Sequence, residues 1–543
     1  MNQSRKTLTQ HLRLVSVGTL VSRVLGMVRD TAMAASFGNG PILDAFTVAF
    51  RLPNLARVLF GEGALTTAFL PVFLRDREHS AQQAASLLWS LFLAQGVFLG
   101  LLIGLGELIL WGCLAVLPLS SDGILLIQLT AILLPYVGLI CGAALLAAAL
   151  HGLGYFGVPT LIPIVFNALW LMALFTILHF VETPVGRVLM LAGALVGAGV
   201  VQMAIPLPLI IQSGLGFRLA AGPNWARLRE IASHMIPVVI GLSITQINTI
   251  ANSLIAWGFS APSNLPEVDA GYPLTSGTAS ALYFGQRLYQ FPLGVFGVAL
   301  GTVIYPQLTR HALKADFQRL GQDLGMGLRL VAAIGIPASA GLCVLSFPLT
   351  RGLFEYGAFT SQDTVQTAQM VAAYGCGVWA FCGLLIIQRA FYAIGDRQTP
   401  LRIGVLGALV NLTLNLILIH VIGGIALAAS TTVIGVAQFL ATLAVWPKEK
   451  GQIPWLDVRR SLIKCLIATA LMSLTCWGAL LALEDVAFPG ARLWNVVIPV
   501  VASIVVYFGV ARLIGLQEPW WLITRRSQTA ESGILPKVVE KLE

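Results

Sequence analysis

The chain of 543 residues consists of long apolar blocks, most of them at least about 20 residues long, separated by short polar breaks. A block of that length crosses a hydrocarbon core of ~30 Å as a helix. Outer-membrane strands would instead alternate over short segments. Only 10% of the residues are Asp, Glu, Lys or Arg, against roughly 25% in a soluble domain. The fold class expected is therefore an all-α polytopic membrane protein. A secretory signal is the rival reading of the first block, but Arg23, Arg29 and Asp30 interrupt the apolar core such a signal needs. The block is expected to be the first helix of the mature chain.

Polar breaks divide the chain into fourteen expected spans: 13–37, 42–72, 83–114, 124–150, 156–181, 187–214, 230–258, 277–307, 322–350, 366–394, 400–420, 423–446, 461–483 and 492–515. Pro and Gly inside the long second and eighth spans suggest bends. The even-numbered loops carry Arg75 and Arg77, then Arg218, Arg227 and Arg229, then Arg310, Lys314 and Arg319, then Arg397 and Arg402. Lys448, Lys450, Arg459 and Arg460 follow span 12, and Arg525 and Arg526 follow span 14. The opposite loops are poor in Lys and Arg, with Glu267 and Asp269 after span 7, Arg351 with Glu355 and Asp363 after span 9, and Glu484 and Asp485 with Arg492 after span 13. Basic loops stay on the cytoplasmic side, so a multi-pass membrane protein with both termini cytoplasmic is expected. Loops facing anionic lipid account for the net charge of +9 without nucleic acid. The PWW at 519–521 suits an interfacial anchor, and the polar stretch from Ser527 a disordered end.

Two stretches echo each other, FRLPNLARVLFGEGALTTAFLPVF at 50–73 and QRLYQFPLGVFGVALGTVIYPQLTR at 286–310. Arg51 matches Arg287 and Gly61 matches Gly297 at one spacing; a one-residue shift then aligns Thr67 with Thr302 and Pro71 with Pro306. A second echo pairs Ala149, Gly154 and Pro159 with Ala390, Gly395 and Pro400 at an offset of 241. Both echoes join spans an even number apart, so the repeat is parallel. Two six-helix lobes around a central cavity are expected, helices 1–6 in residues 1–220 and helices 7–12 in 221–450. Helices 13–14 in 451–520 and a polar cytoplasmic tail in 521–543 lie outside the repeat. Paired lobes of this kind are a common plan for alternating-access transporters.

Mid-span charges concentrate in helices 1, 2 and 8, as Arg23, Arg29, Asp30, Asp44, Arg51, Arg57, Glu62 and Arg287; Arg389 lies near the end of helix 10. Charges inside apolar segments are costly unless solvated or paired. Residues six apart, such as Arg23 and Arg29 or Arg51 and Arg57, differ by about 120° around a helix, so each pair needs a broad groove or a bend. Pro53 could supply the bend in helix 2. Several arginines with few acids suit a cavity for an anionic substrate, since a guanidinium donates several hydrogen bonds to phosphate at once. Ion pairs that lock helix 1 to helix 2 are the structural alternative. Asp30 stays open between local partner of Arg29 and gate.

Other signals carry little. GLGYFG at 152–157 has dinucleotide-loop spacing but joins two apolar blocks, so a tight turn is expected. There is no Walker A loop, ion filter, catalytic constellation or metal-ligand spacing. The seven cysteines lie in or beside apolar blocks and read as packing residues. Transport without covalent chemistry, no cofactor and no metal is the reading.

Three segments carry a family resemblance: SRVLGMVRD at 22–30, LDAFTVAFRLPNLARVLFGEGALTTAFLPVF at 43–73 and YFGQRLYQFPLGVFGVALGTVIYP at 283–306. With them the chain closely resembles the MurJ/MviN family, lipid II flippases of peptidoglycan synthesis within the multidrug/oligosaccharidyl-lipid/polysaccharide exporter superfamily. The resemblance implies fourteen helices in two lobes around a cationic cavity. It implies movement of undecaprenyl-diphosphate-linked disaccharide-pentapeptide from the cytoplasmic to the outer leaflet, with membrane potential or an ion gradient as driving force. It implies lipid II, membrane lipids and cell-wall synthesis proteins as partners. Family arginines important for function match Arg23, Arg29, Arg57 and Arg287; family acids match Asp44 and Glu62; Arg51 stands where many relatives have lysine. On this basis Arg23, Arg29 and Arg287 are expected to hold diphosphate in the inward-facing state, with Arg57 assisting that binding or a nearby conformational gate. Asp44 and Glu62 are expected to pair with arginines when the outer side is closed. The connection at 260–277 is longer than the family pattern suggests. Another exporter of the superfamily, carrying a drug or a different polyprenyl-linked glycan, and a non-transporting cell-wall scaffold are the alternatives.

Overall fold

The computed structural model describes residues 2–217, 225–263, 271–483 and 491–523. Arg218, Glu267, Asp269, Glu484, Asp485, Arg525, Arg526, the centre of the 260–277 connection and the tail from 524 lie outside the described residues, as does the side chain of Glu62.

The chain is helical throughout these residues. In order it forms α1 (Asn2–Phe37), α2 (Pro41–Ala56), α3 (Ala64–His79), α4 (Ala81–Val116), α5 (Ser121–Gly152), α6 (Gly157–Phe180), α7 (Pro184–Ala204) and α8 (Leu207–Gln212). Then follow α9 (Trp225–Gly258), α10 (Thr278–Pro292), α11 (Val298–Leu313), α12 (Phe317–Val344), α13 (Ser346–Phe354), α14 (Ser361–Gly375) and α15 (Val378–Ala393). The series ends with α16 (Gln398–Ile422), α17 (Ile425–Ala444), α18 (Trp455–Leu483), α19 (Ala491–Leu513) and α20 (Glu518–Ile523). Among the described residues the only β pairing is one isolated bridge, Ser260 with Leu274.

Eleven of the described helices are long and apolar enough to cross a membrane, or twelve if the bent pair α14 and α15 counts as one span. The fold is therefore all-α and polytopic. The expected first and eighth spans are helical but fall outside that set; both carry mid-span charge, Arg23, Arg29 and Asp30 in one and Arg287 in the other. The long second and eighth blocks each contain a π-helical turn, Arg57–Glu62 and Leu293–Gly297. A π turn inserts one residue into the ladder and bends the helix.

Helix starts follow local chemistry. Ser80, Ser120 and Thr183 each accept a hydrogen bond from the amide three residues on, capping α4, α5 and α7. Asp396 does the same for α16, accepting from the Thr399 hydroxyl and from the amides of Thr399 and Gln398. Those bonds, that from the Thr399 hydroxyl foremost, hold its carboxyl below the usual aspartate range. GLGYFG is the turn between α5 and α6, with Gly154 at φ +82°, and Gly395 at φ +86° makes the turn before α16. That left-handed conformation favours glycine.

Two compact units emerge, each drawn from separate stretches of chain. The first comprises Met1–Arg287, Leu349–Met370 and Gly404–Ile434. The second comprises Leu288–Pro348, Val371–Ile403 and Gly435–Glu543. In the first, Phe69, Phe73, Leu88 and Leu145 join α3, α4 and α5 in one apolar cluster. In the second, Leu308, Leu324, Ile386 and Phe391 join α11, α12 and α15, and Glu518 of α20 is buried against Arg329 of α12 at 2.5 Å.

In lipid, helix association rests on close van der Waals contact, so small residues matter at the seams. A Cβ on Gly199 of α7 would lie 2.5 Å from a ring carbon of the fully buried Tyr136, whose hydroxyl donates to Gln202. Gly193 on the same helix has open space instead. Gly199→Ala is expected to cost about 1–3 kcal/mol through overpacking. Gly193→Ala is expected to be neutral or stabilising by up to ~1 kcal/mol through helix propensity. Thermal unfolding of the two variants in detergent checks the opposite signs.

Candidate functional site

The residues that gather mid-span charge lie in the first unit. Arg29 and Asp30 of α1 are buried, at 7% and 4% exposure. Arg29 donates to Asp30 Oδ1 from Nη2 at 2.7 Å and from Nε at 3.1 Å. Its Nη1 donates to Asn167 Oδ1 at 3.0 Å, while Asn167 Nδ2 donates to the Ser22 carbonyl, so α6 holds two turns of α1. The guanidinium also lies 4.4 Å from the ring centroid of Trp170. Phe46, Phe50 and Phe166 contact that ring edge-on. Every charged face of Arg29 thus has a partner.

The other oxygen of Asp30 meets Arg287 of α10, with Nε to Oδ2 at 3.2 Å. Tyr283, one turn earlier on α10, donates its hydroxyl to Asp30 Oδ1 at 3.1 Å and accepts from Arg287 at 2.9 Å and 3.1 Å. One carboxylate therefore serves two guanidiniums and a phenol. Arg51 of α2 completes the group: it donates to Gln286 Oε1 at 2.6 Å and to Ser253 Oγ at 3.1 Å, and its guanidinium lies 5.6 Å from the Tyr283 ring centroid. Three guanidiniums thus gather around Tyr283, and two of them share the Asp30 carboxylate. The Arg287 side chain is 39% exposed, whereas Asp30 beneath it is nearly sealed.

Asp44 has a different environment. Its Oδ2 accepts from the Gly277 amide at 2.8 Å, and its Oδ1 from the amide and hydroxyl of Ser280, both at 2.7 Å. The expected arginine partner is not there: in this conformation Asp44 caps the start of α10, where free amides and the helix dipole favour a carboxylate. Gly277, at φ +85°, packs against Asn39, and Asn39 donates to Thr367 Oγ1 at 2.9 Å. The Ala358 amide donates to the Ala35 carbonyl at 2.7 Å. The corner between α1 and α2 is thereby stitched to two neighbouring segments.

Arg57 opens the first π turn and donates to Asn54 Oδ1 at 2.8 Å. Glu62 ends that turn. Arg23 is exposed and makes no hydrogen bond or ion pair among the described residues. The structure thus brings Arg29, Arg51 and Arg287 together around Tyr283 and leaves Arg23 apart from them. Tyr283, Asn167, Gln286 and Ser253 went unnoticed in the sequence, being neutral. One signal could have found the α10 residues: Ser280, Tyr283, Gln286 and Arg287 recur at spacings of three, three and one, a polar stripe on one helix face.

A family model for the lipid II flippase MurJ matches residues 33–498. The chain belongs to the MurJ family of lipid II flippases. A probable lipid II flippase MurJ of Vibrio cholerae is 33% identical over 435 residues, covering 77% of this chain and 79% of that protein. The lipid II flippase MurJ of Burkholderia cenocepacia is 30% identical over 457 residues, covering 82% and 83%. A solved lipid II flippase MurJ in an inward closed conformation superposes with a TM-score of 0.71 at 24% identity, over 94% of this chain and all of that one. An inward-facing multidrug transporter of the MATE family shares the fold more distantly, with a TM-score of 0.63 at 13% identity over 79% of this chain. The family is one of flippases, transporters rather than enzymes.

The Asp44 cap generates a stability test. Asp44→Ala leaves two buried amides and a hydroxyl without their acceptor, at about 1–3 kcal/mol for each unsatisfied donor. Thermal unfolding should show a clear loss for Asp44→Ala. Asp44→Asn, which keeps one acceptor oxygen, should recover part of it.

Proposed function

We propose that this chain moves lipid II, the undecaprenyl-diphosphate-linked disaccharide-pentapeptide, from the cytoplasmic to the outer leaflet of the bacterial inner membrane. The observation that carries the mechanism is the Asp30 carboxylate shared by Arg29 and Arg287. Asp30 acts as an internal anion. It neutralises part of the cluster while no substrate is bound, and the diphosphate displaces it from Arg287. Arg287 is the direct ligand, since its side chain is partly exposed and its fork can turn toward a phosphate. Arg51, across the Tyr283 ring, supplies a second charge. Arg29 is enclosed by Trp170, Asn167 and Asp30, so it positions Asp30 rather than reaching out. Arg23, exposed on α1, is a further contact for the headgroup, and Arg57 acts at the π turn.

The arrangement suits a lipid with a large polar head. The head needs a hydrated, positively charged route, and the polyprenyl tail stays in the bilayer. At an effective dielectric of 20, two unit charges 5 Å apart interact by about 3 kcal/mol. A diphosphate facing Arg287 and Arg51 therefore gains enough to compete with one carboxylate. Release then requires Arg287 to return to Asp30, which keeps the substrate from being trapped.

The proposed topology has fourteen spans, with both termini cytoplasmic and two six-helix lobes related by a parallel repeat. Basic loops on one side support the orientation. Two features support the repeat. The π turns begin at Arg57 and Leu293, 236 positions apart, the same offset as Arg51 and Arg287. The glycines at positive φ, Gly154 and Gly395, stand 241 apart. In this topology the stitched corner of α1 and α2 faces outward, and the Asp44 cap is one of its fastenings. Alternating access would break that cap and expose the head to the outer leaflet.

Purified protein in liposomes with defined lipid II tests the proposal. Arg287→Gln should slow flipping at least tenfold with the fold retained, equivalent to about 1.4 kcal/mol or more of lost stabilisation. Arg287→Lys should recover only part, because it loses the fork. A wild-type rate in Arg287→Gln would sink the mechanism. Equal transport of lipids lacking a diphosphate would sink the substrate assignment.

A further inference from the structure

The broken span formed by α14 and α15 carries a feature that transport as described above does not use. Its break is YGCGVW at 374–379, and the two helices meet there at 40°. Within the second unit, the break rests on one stripe of α12, Gly335, Ser339 and Cys343, spaced four apart. A Cβ on Gly335 would lie 2.8 Å from Trp379 Cα. Ser339 Oγ accepts from the Trp379 amide at 3.0 Å, satisfying a donor that the break removes from the helix ladder. At the end of the stripe, Cys343 Sγ lies 3.5 Å from Cys376 Sγ and 3.5 Å from the Ala372 carbonyl. Gly375 makes the approach feasible, since a Cβ there would lie 3.2 Å from Cys343 Sγ and 3.4 Å from the Cys343 amide nitrogen.

We propose that Cys343 and Cys376 are a redox modification site, a dithiol that an external disulfide converts into a bond stapling the helix break to α12. The sulfurs need to close from 3.5 Å to about 2.05 Å, a movement within reach of side-chain rotation. Cys376 is exposed and Cys343 partly so, whereas Cys141, Cys382, Cys465 and Cys476 are buried. Entry is therefore at Cys376. Its thiolate attacks one sulfur of the oxidant, forming a mixed disulfide and expelling one thiol. The Cys343 thiolate then attacks Cys376 Sγ and expels the second. The two protons lost by the protein end on the two released thiols, and the pair is oxidised by two electrons as the oxidant is reduced by two. With the pair reduced, no covalent bond joins the break to α12, and the Ser339 hydroxyl and close packing support it. The oxidised pair fixes it covalently, so a transport cycle that flexes this span stops until a dithiol reductant restores it. That last consequence rests on the flippase reading; the bond itself does not.

The test uses the full chain in lipid nanodiscs with 4,4′-dithiodipyridine as oxidant. Peptide mapping is expected to recover a Cys343–Cys376 linked peptide, with a loss of about 2 Da and two equivalents of thiopyridone. In Cys343→Ser, Cys376 should instead keep a thiopyridyl adduct. A wild-type protein that keeps the adduct on Cys376, or that reacts at neither cysteine, overturns the site. Oxidised wild type should flip lipid II at least tenfold more slowly than reduced, with recovery in dithiothreitol and no oxidant effect in Cys376→Ser. An unchanged rate in fully linked protein overturns the staple. A linked peptide in protein that never flips lipid II would leave the redox site standing and sink the flippase reading instead.

Discussion

The site depends on one carboxylate. Asp30 is 4% exposed and touches both Arg29 and Arg287. Removing one partner of a buried ion pair typically costs ~3–5 kcal/mol, because the other charge is left without compensation. The surrounding residues meet that constraint in different ways. Asn167 takes a third donor of Arg29, Trp170 covers its face, and Tyr283 bridges Asp30 to Arg287. A cationic site can then exist in an apolar bundle without a bound anion.

The second constraint acts where α2 and α10 begin. Four unbonded amides at a helix start need acceptors, and here a carboxylate from another helix supplies one. The same α10 carries Ser280 to Asp44, Tyr283 and Arg287 to Asp30, and Gln286 to Arg51. One helix face therefore links the fastening at its start to the charges further along. A movement of α10 relative to α1 and α2 would disturb both together, which suits a carrier that opens one side as it releases the head.

Much of this was legible in the sequence, for physical reasons. An arginine inside an apolar block is conspicuous because it is costly, so Arg29, Arg51 and Arg287 stand out in the sequence. Turn chemistry was equally plain at GLGYFG, where Gly154 takes positive φ. What escaped notice was neutral. Tyr283 and Asn167 look like ordinary membrane-helix residues, and only their position beside Asp30 gives them a role. The partner of Asp44 is hidden from composition, because a helix start offers positive charge through its backbone amides. Seven cysteines read as packing, and that reading omits the close approach of Cys343 and Cys376, which depends on Gly375. In α1 the charges Arg23, Arg29 and Asp30 lower the apolarity of the helix they mark, and the eighth block is divided at Leu293–Gly297 into helices of 15 and 16 residues.

The claim that Asp30 stands in for the substrate's phosphate can be measured directly as binding. Asp30→Asn keeps the shape and one acceptor oxygen but removes the internal negative charge. Equilibrium binding of a fluorescent diphosphate polyprenyl lipid to purified wild type and Asp30→Asn, across a salt series, compares the two. The account predicts at least tenfold tighter binding by Asp30→Asn at low salt, with the gap narrowing as salt rises. Unchanged or weaker binding by the variant would contradict it, and would make Asp30 a purely structural partner of Arg29 and Arg287.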